Sequence, residues 1–292
     1  MAYRAFYAVR DLSTRAGQPT NALFGFVRML RQLEKQWRPD RVVVAFDGGS
    51  PAHRLEKCPE YKAQRAPMPD DLRSQLGLIN EFLAAAGIPR ILLKGQEADD
   101  VMATLAVRAA GAGATVRLAT SDKDLMQLVD ARVRIVPPTK TDEELDAAGV
   151  AAKTGVQPGQ IVDWLALIGD SSDNIPGVDG IGPKTATKLI AQFGSLAACL
   201  AQAEKIESDS LRAKVQAGRA IAELNVALMT LDKDVPGVPG WDEIPAPAPE
   251  AAKLKAFFEK YELHQFAAGL EPKAPPAAPA PKLAPGGQLN LF

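Results

Sequence analysis

The segment Gly169-Asp-Ser-Ser-Asp-Asn-Ile-Pro-Gly-Val-Asp-Gly-Ile-Gly-Pro-Lys184 places two aspartates directly before a glycine-rich turn. Asp170 and Asp173 are three residues apart, so both carboxylates can project toward one point if the apolar run 161–168 is helical. A carboxylate pair of this kind suits a hard divalent cation. Pro183 follows the turn and is expected at the first position of the next helix.

The turn itself predicts a second kind of chemistry. Gly177, Gly180 and Gly182 allow the backbone to turn tightly, and the N–H groups at the start of the following helix would face a phosphate. A capped helix-turn-helix of purely structural use is the alternative, because a short glycine motif is weak evidence by itself. The adjoining pair of aspartates favours the functional interpretation.

Composition limits the class of protein. The chain has 292 residues, enough for one large domain or two modest ones, and its 47% apolar and 24% charged residues are typical of a soluble globular protein. A net charge of -1 means that any nucleic-acid binding must come from local patches. Two distant cysteines and two histidines argue against zinc sites and disulfides, and favour a reducing cytoplasm. No membrane span or signal peptide is expected.

The pattern of apolar residues predicts an α/β half followed by a helical half. Strands are expected at 41–46, 88–93 and 115–120, with an edge strand at 132–136. Helices are expected after Thr20 and between about 97 and 110, which gives the β-α-β alternation of a mostly parallel sheet with helices on both faces. The pattern is helical from 142 to about 231.

Acidic residues follow the end of each of the first three strands. The carboxyl edge of an open parallel sheet is where sites are built, and the aspartates of the opening segment would join them. Acids in a first helical turn can simply offset the helix dipole, at roughly 0.3–1 kcal/mol each, but this explains only residues 97–100. Such a cluster needs cations, and two Mg²⁺ ions ~4 Å apart suit phosphoryl chemistry. The predicted acids are Asp47, Glu97, Asp99, Asp100, Asp122, Asp124, Asp170 and Asp173.

The excursion between residues 53 and 70 is rich in cations. Arg54, Lys62 and Arg65 stand near Tyr61, a mixture that pairs phosphates and stacks bases in single-strand channels. A solvated surface is the alternative, since acids dilute the patch. Its position directly after Asp47 favours a lid or a threading arch.

Five motifs together resemble the 5′→3′ exonuclease domain of bacterial DNA polymerase I and its stand-alone relatives in the flap endonuclease superfamily. They are Phe46-Asp-Gly, Tyr61-Lys-Ala-Gln-Arg65, Glu97-Ala-Asp-Asp100, Thr120-Ser-Asp-Lys-Asp124 and Gly169-Asp-Ser-Ser-Asp-Asn-Ile-Pro-Gly177. The resemblance implies an α/β nuclease domain of the PIN/flap-endonuclease type at 1–140, with a basic arch at 50–72. A helical subdomain with a helix-hairpin-helix motif would follow at 141–268.

The resemblance also implies an activity: two-metal, Mg²⁺-dependent hydrolysis of DNA at 5′ flaps and duplex junctions in replication and repair, including primer removal, with Mn²⁺ as a substitute ion and a separate DNA polymerase as partner. One metal site would use Asp47, Glu97 and Asp99. The other would use Asp122, Asp124, Asp170 and Asp173, with Asp100 in support. Lys62 and Arg65 would contact the scissile phosphate, and Tyr3 would stack on a displaced base. Other DNA contacts would come from Arg54, Tyr61, Gly180, Gly182, Lys184 and Thr185.

The amino end departs from the family pattern. Family members begin with a strand that ends in Asp-Gly shortly before the position of Tyr3, and that aspartate is a metal ligand. Either the start has been misplaced, which we favour, or the chain is truncated with a weakened first metal site. A catalytically impaired protein that binds branched DNA is therefore the alternative function.

The carboxyl end predicts a partner. Residues 269–292 are expected to be an unfolded Pro/Ala linker that ends in Gln288-Leu-Asn-Leu-Phe292. This ending resembles the peptide with which bacterial replication proteins bind the sliding clamp, in which Leu289, Leu291 and Phe292 would fill an apolar pocket while Gln288 fixes the orientation. A stray hydrophobic end is the alternative. These features together suggest a cytoplasmic, nucleoid-associated protein.

Overall fold

The computed structural model describes residues 1–270. The predicted linker from residue 271 onward and the predicted clamp-binding peptide lie outside the described residues. None of the helices in residues 1–270 combines the length and the apolar character needed to cross a membrane.

The first half alternates helices with short strands in the predicted order. Thr20 is the residue before the second helix, as predicted, and that helix ends where Arg38 adopts a left-handed φ of 44°. The elements are α1 (Ala2–Ala8), α2 (Asn21–Trp37), β1 (Val44–Phe46), α3 (Ala52–Lys57), α4 (Asp70–Ala85), β2 (Arg90–Leu92), α5 (Ala98–Gly111), β3 (Val116–Ala119) and β4 (Val133–Val136).

The four strands of this half pair in parallel, as predicted. β1 pairs with β2 in the register Val44 to Arg90, and β3 pairs with β4 in the register Val116 to Val133. Within the described residues these are two separate two-stranded ladders. β1 is only half-buried, although its apolar sequence predicts full burial. A parallel strand is fully buried when it has neighbours on both sides and cover on both faces, and β1 has one ladder partner.

The second half is helical around one short hairpin. The predicted helix at 161–168 is confirmed, and the helix after the glycine turn begins at Pro183, as predicted. A two-residue antiparallel pair, β5 and β6, was not predicted. The elements are α6 (Ala147–Thr154), α7 (Ile161–Ile168), β5 (Gly169–Asp170), β6 (Ile175–Pro176), α8 (Pro183–Phe193), α9 (Leu196–Ala201), α10 (Asp209–Ala217), α11 (Arg219–Met229), α12 (Ala251–Lys260) and α13 (His264–Ala268).

The hydrophobic core crosses the predicted domain boundary at residue 140. Leu118 and Ile135 of β3 and β4 belong to the same buried cluster as Leu165 of α7 and Met229 of α11. A second cluster joins α2 and α4 to α12 and α13 at the far end of the chain. The two halves therefore share apolar contacts, and the boundary itself stays a prediction.

Candidate active site

The predicted acids lie at the ends of β1 and β3, at the start of α5 and at the end of α7. Glu97 is the residue before α5, and Asp99 and Asp100 lie in its first turn, where they also complement the helix dipole. Oδ1 of Asp47 accepts a hydrogen bond from the Ala98 N–H at 3.1 Å, which ties the end of β1 to the start of α5. The end of β1 thus lies beside the start of α5.

The carboxylates of these four chain segments affect one another's pKa values. Burial, followed by the charges of Asp122, Asp170 and Asp173, raises the pKa of Asp124 to about 8. Burial and the charges of Asp122 and Asp47 raise the pKa of Asp99 to about 7. Carboxylates that raise one another's pKa values in this way need a cation to remain ionised together near neutral pH.

One oxygen of this cluster has no partner. Oδ1 of Asp124 is buried and makes no hydrogen bond. An unsatisfied buried carboxylate oxygen is costly, and a divalent cation with a preference for oxygen ligands would satisfy it. The donor set therefore fits Mg²⁺ or Mn²⁺, although within residues 1–270 no three acidic, histidine or cysteine side chains are close enough together to hold one ion as they stand.

Basic side chains from the segment between β1 and α4 are paired with two of these acids. Lys62 Nζ lies 2.6 Å from Glu97 Oε1 and 3.4 Å from Asp173 Oδ2. Arg65 Nη2 lies 2.5 Å from Asp173 Oδ1. The two residues expected to contact the scissile phosphate are therefore paired with two of the predicted metal ligands.

The backbone of the same segment docks on the turn between β5 and β6. The Lys62 N–H donates to the Asp173 carbonyl oxygen at 2.9 Å, and Asn174 Nδ2 donates to the Glu60 carbonyl oxygen at 2.7 Å. Gln64 Nε2 donates to the Ser171 carbonyl oxygen. Lys62 and Asn174 both have left-handed backbones, with φ values of 57° and 58°. The predicted arch thus lies against the acids in this structure.

The prediction that Arg54 binds DNA is wrong for this arrangement. Its side chain is buried, with 1% of the residue exposed, and its guanidinium bonds Glu97 and Asp100. A phosphate contact would require an accessible guanidinium. Asp100 is itself fully buried by this pair, which agrees with its expected supporting role.

The prediction that Tyr61 contacts DNA does not fit its position either. The ring is 5% exposed, and its hydroxyl lies 3.0 Å from Glu97 Oε2 and 3.1 Å from Asp173 Oδ2. Burial and these two carboxylates raise the pKa of Tyr61, so the hydroxyl stays protonated and donates. Base stacking would need an open ring face, so the structure gives Tyr61 an internal role instead.

The internal roles of Arg54 and Tyr61 were not predicted from the sequence, because the charges of this segment were considered before the spacing of its apolar residues. Pro51, Arg54 and Tyr61 are buried and Cys58 is partly buried, at spacings of three and four residues. This is the spacing of an inward-facing helical stripe, and an arginine within such a stripe is the signal that indicates a buried ion pair.

The glycine hairpin has a different character. Val178 and Ile181 are buried and anchor the turn, while Gly180 and Gly182 are exposed. A Cβ on Gly182 would meet nothing within 4 Å, so the backbone there is open to a ligand. Gly180 has a φ of 68°, and a Cβ added there would meet the Lys214 side chain.

The remaining predicted DNA contacts are accessible to different degrees. Lys184 is exposed and Thr185 is half-buried, both in the first turn of α8. Tyr3 in α1 is 47% exposed, so its ring is available to a base. Burial and the charge of Arg4 lower the pKa of the Met1 amine, and the charges of Asp99 and Asp47 oppose this shift, so the start of α1 lies near the acids.

Comparison with known proteins shows the family of the chain. The family model of the 5′-3′ exonuclease N-terminal resolvase-like domain matches residues 1–155, and that of the 5′-3′ exonuclease C-terminal SAM fold matches residues 156–252. A 5′-3′ exonuclease of Aquifex aeolicus is 40% identical over 261 residues, covering 89% of each chain. The thermostable DNA polymerase I of Thermus thermophilus is 41% identical over 96% of this chain, which spans 34% of that polymerase.

Solved structures show the same fold. The T5 5′-exonuclease with bound zinc ions has a TM-score of 0.67 at 23% identity, covering 91% of this chain and 96% of that one. The catalytic core of Rad2 in complex with DNA substrate has a TM-score of 0.60 at 18% identity, covering 91% and 87%. The family models and the Aquifex aeolicus relative define a nuclease with a resolvase-like domain. The chain belongs to the 5′-3′ exonuclease family.

Proposed function

We propose that this chain is a Mg²⁺-dependent 5′-3′ exonuclease and 5′-flap endonuclease that hydrolyses DNA phosphodiesters in replication and repair, including primer removal. The observation that supports it is the orphaned buried oxygen of Asp124 among carboxylates that raise one another's pKa values. Basic side chains suited to a phosphate stand beside them. The binding of DNA by Rad2 and of metal ions by the T5 exonuclease agrees with this proposal.

The acids divide between two ions in this proposal. Asp47, Glu97 and Asp99 would hold one, and Asp122, Asp124, Asp170 and Asp173 the other, with Asp100 in support. When bound, such ions lower the pKa of water and offset the charge of the reacting phosphate.

The chain's own cations orient the substrate. Lys62 and Arg65 leave Glu97 and Asp173 and pair with the scissile phosphate, which offsets charge that develops in the transition state. Arginine suits this role because its fork can bond two phosphate oxygens at once. Both partners of each present ion pair then gain a new counter-charge, so the exchange leaves no unpaired charge at the site.

Duplex DNA lies on the helical half in this proposal. The open backbone at Gly182, with Gly180, Lys184 and Thr185, contacts the phosphates of the duplex, and Tyr3 stacks on a displaced base. These contacts hold the substrate in position, while the acids perform the chemistry.

Cleavage of a labelled 5′-flap duplex tests the proposal. The chain is expected to release the flap with Mg²⁺ or Mn²⁺ and to be inactive with a chelator. Asp124→Asn, which removes one carboxylate of the cluster, is expected to bind the flap without cutting it. Flap release at the wild-type rate with a chelator present would contradict the proposal.

A non-catalytic protein that binds branched DNA is the second candidate. It is favoured by one observation, that Lys62, Arg54 and Arg65 already occupy oxygens of Glu97, Asp100 and Asp173. Tight flap binding with no product at any Mg²⁺ or Mn²⁺ concentration would support this candidate and exclude the first.

The sliding clamp is the proposed protein partner, through Gln288, Leu289, Leu291 and Phe292, outside the described residues. Tethering through the Pro/Ala sequence would raise the local concentration of the nuclease at clamp-loaded junctions. Deletion of Leu291 and Phe292 is expected to abolish clamp binding and leave hydrolysis of free flap oligonucleotides unchanged. Clamp binding by the shortened chain would contradict the assignment. A cytoplasmic, nucleoid-associated location and a separate DNA polymerase complete the proposal.

A further inference from the structure

Arg54 uses every one of its donors inside the protein. Nη1 bonds Glu97 Oε2 and Asp100 Oδ2, each at 2.6 Å, and Nη2 bonds Asp100 Oδ1 at 2.8 Å. Nη2 also donates to the Thr230 carbonyl oxygen at 3.3 Å, and Nε donates to the Leu228 carbonyl oxygen at 3.0 Å. An arginine has five N–H donors, so none remains for a substrate.

The two oxygens of Glu97 have different surroundings. Oε2 accepts from Arg54 and from the Tyr61 hydroxyl, both of which are buried. Oε1 contacts Lys62 Nζ at 2.6 Å, and that lysine comes from the segment docked on the site. Rigid internal donors therefore fix one oxygen, while a long, unbranched side chain covers the other.

A purely structural role for Arg54 does not explain why it contacts the carboxylate of Glu97 in addition to that of Asp100. Asp100 alone makes a two-point ion pair with Arg54, and the Asp232 N–H adds a bond to Asp100 Oδ1 at 2.9 Å. Burying a further carboxylate beside them costs desolvation energy, and buried ion networks are poor stabilisers of a fold. The contact to Glu97 is explained if the network serves to orient the Glu97 side chain.

We propose that Arg54 is a positioning residue for the metal site. It holds Oε2 of Glu97, with Tyr61 as the second donor, so that Oε1 is presented where a divalent cation binds. This inference rests on the proposed function, because it takes Glu97 as a metal ligand. Partners that orient a ligand from behind affect metal affinity even though they touch neither metal nor substrate.

Arg54 also joins three parts of the chain. It extends from α3, pairs with the acids at the start of α5 and bonds carbonyl oxygens at the end of α11. α11 packs on α7, whose carboxyl end leads into Asp170. The same guanidinium thus fixes Glu97 relative to the helices that carry the other acids.

Mn²⁺ binding to the DNA-free protein tests the inference without any need for catalysis. Titration calorimetry would compare the full chain with Arg54→Lys, which keeps the positive charge and loses the fork. The dissociation constant for Mn²⁺ is expected to rise about ten- to a hundredfold. A folded Arg54→Lys protein with the wild-type dissociation constant would overturn the inference.

Arg41→Lys is the matched control. Arg41 Nη1 also donates to two carbonyl oxygens, those of Trp241 and Ile244 at 2.6 Å each, but the site acids are not among its partners. This variant is expected to lower the melting temperature and leave Mn²⁺ affinity unchanged. Loss of affinity in both variants at equal loss of stability would indicate a structural role only and would overturn the inference.

Tyr61→Phe decides the matter if Arg54→Lys does not fold. It removes the hydroxyl that lies between Glu97 Oε2 and Asp173 Oδ2 and keeps the buried ring, so Mn²⁺ affinity is expected to fall by a smaller factor. Wild-type affinity in Tyr61→Phe would overturn the inference in that case. A wild-type chain that binds Mn²⁺ but cleaves no flap contradicts the proposed function instead, and the comparison of affinities still tests Arg54.

Discussion

The acid cluster and the glycine hairpin differ in how accessible they are to a ligand in this structure. The acids come from four separate segments, and three of them, Glu97, Asp100 and Asp173, are already paired with cations of the same chain. The hairpin is one continuous segment, and the space over Gly182 is open. The hairpin can therefore receive a phosphate as it stands, whereas Glu97 and Asp173 must release Lys62 and Arg65 before they bind metal and substrate.

Substitutions in the two regions should therefore impair different steps, hydrolysis in one case and DNA binding in the other. A change among the acids should affect hydrolysis and leave binding largely intact, because the acids repel DNA and hold the reactive ions. A change in the hairpin should affect binding first.

Asp122→Asn and Asp170→Asn are expected to reduce flap cleavage by more than about a thousandfold, because each removes a proposed metal ligand. DNA binding is expected to stay the same or tighten, since a negative charge is lost. Single-turnover cleavage and a binding titration measure the two quantities. Asp242→Asn, at an exposed position, is the control for charge removal alone. Near-wild-type turnover in either site variant would remove that residue from the site.

Lys62→Ala is expected to slow cleavage about a hundredfold while duplex affinity changes little, because its proposed partner is the reacting phosphate. Lys57→Ala is the matched control, since Lys57 is exposed in the same cationic segment. Equal losses of rate and affinity in Lys62→Ala would make Lys62 a general phosphate contact and would weaken the contrast between the two regions.

Gly182→Val is expected to weaken duplex binding about tenfold at a small loss of stability, since a side chain there meets no protein atom and would obstruct the DNA backbone, although valine is a poor residue for the N-cap of α8. Its φ of -92° is one that valine adopts. Gly180→Ala should instead cost about 1 kcal/mol of stability, because its φ of 68° disfavours a side chain. Unchanged affinity in Gly182→Val at physiological salt would count against the hairpin as the DNA site.

The stability of the metal-free protein is expected to depend on pH. The pKa of Asp124 is raised to about 8 in the folded protein, so the folded state binds this proton more tightly than the unfolded state. The metal-free protein should therefore lose stability as pH rises from about 4 to about 8, and Mg²⁺ should restore it at pH 8. Melting temperatures of wild type and Asp124→Asn check this, since the variant should show a weaker decline. A parallel decline in both would contradict it.

Local patterns predicted most of the secondary structure. The apolar spacing after Thr20 gave α2, the run 161–168 gave α7, and Pro183 marked the start of α8. Each depends on periodicity or on a backbone restriction within a few residues, and such signals are present in the chain before it folds. The burial of β1 was overestimated because burial depends on neighbouring strands, which the strand's own sequence does not specify.

Local patterns predicted the acids after the apolar runs, the glycine turn and the start of α8, because these signals depend on residues only a few positions apart. Tertiary structure alone decided that Arg54 and Tyr61 face inward to Glu97 and that Lys62 covers its other oxygen. Those pairings join residues far apart in the chain, such as Arg54 with the carbonyl oxygen of Leu228. Which cation meets which carboxylate is set by the packing of distant segments, since the Coulomb energy depends on distance in space and on the surrounding dielectric.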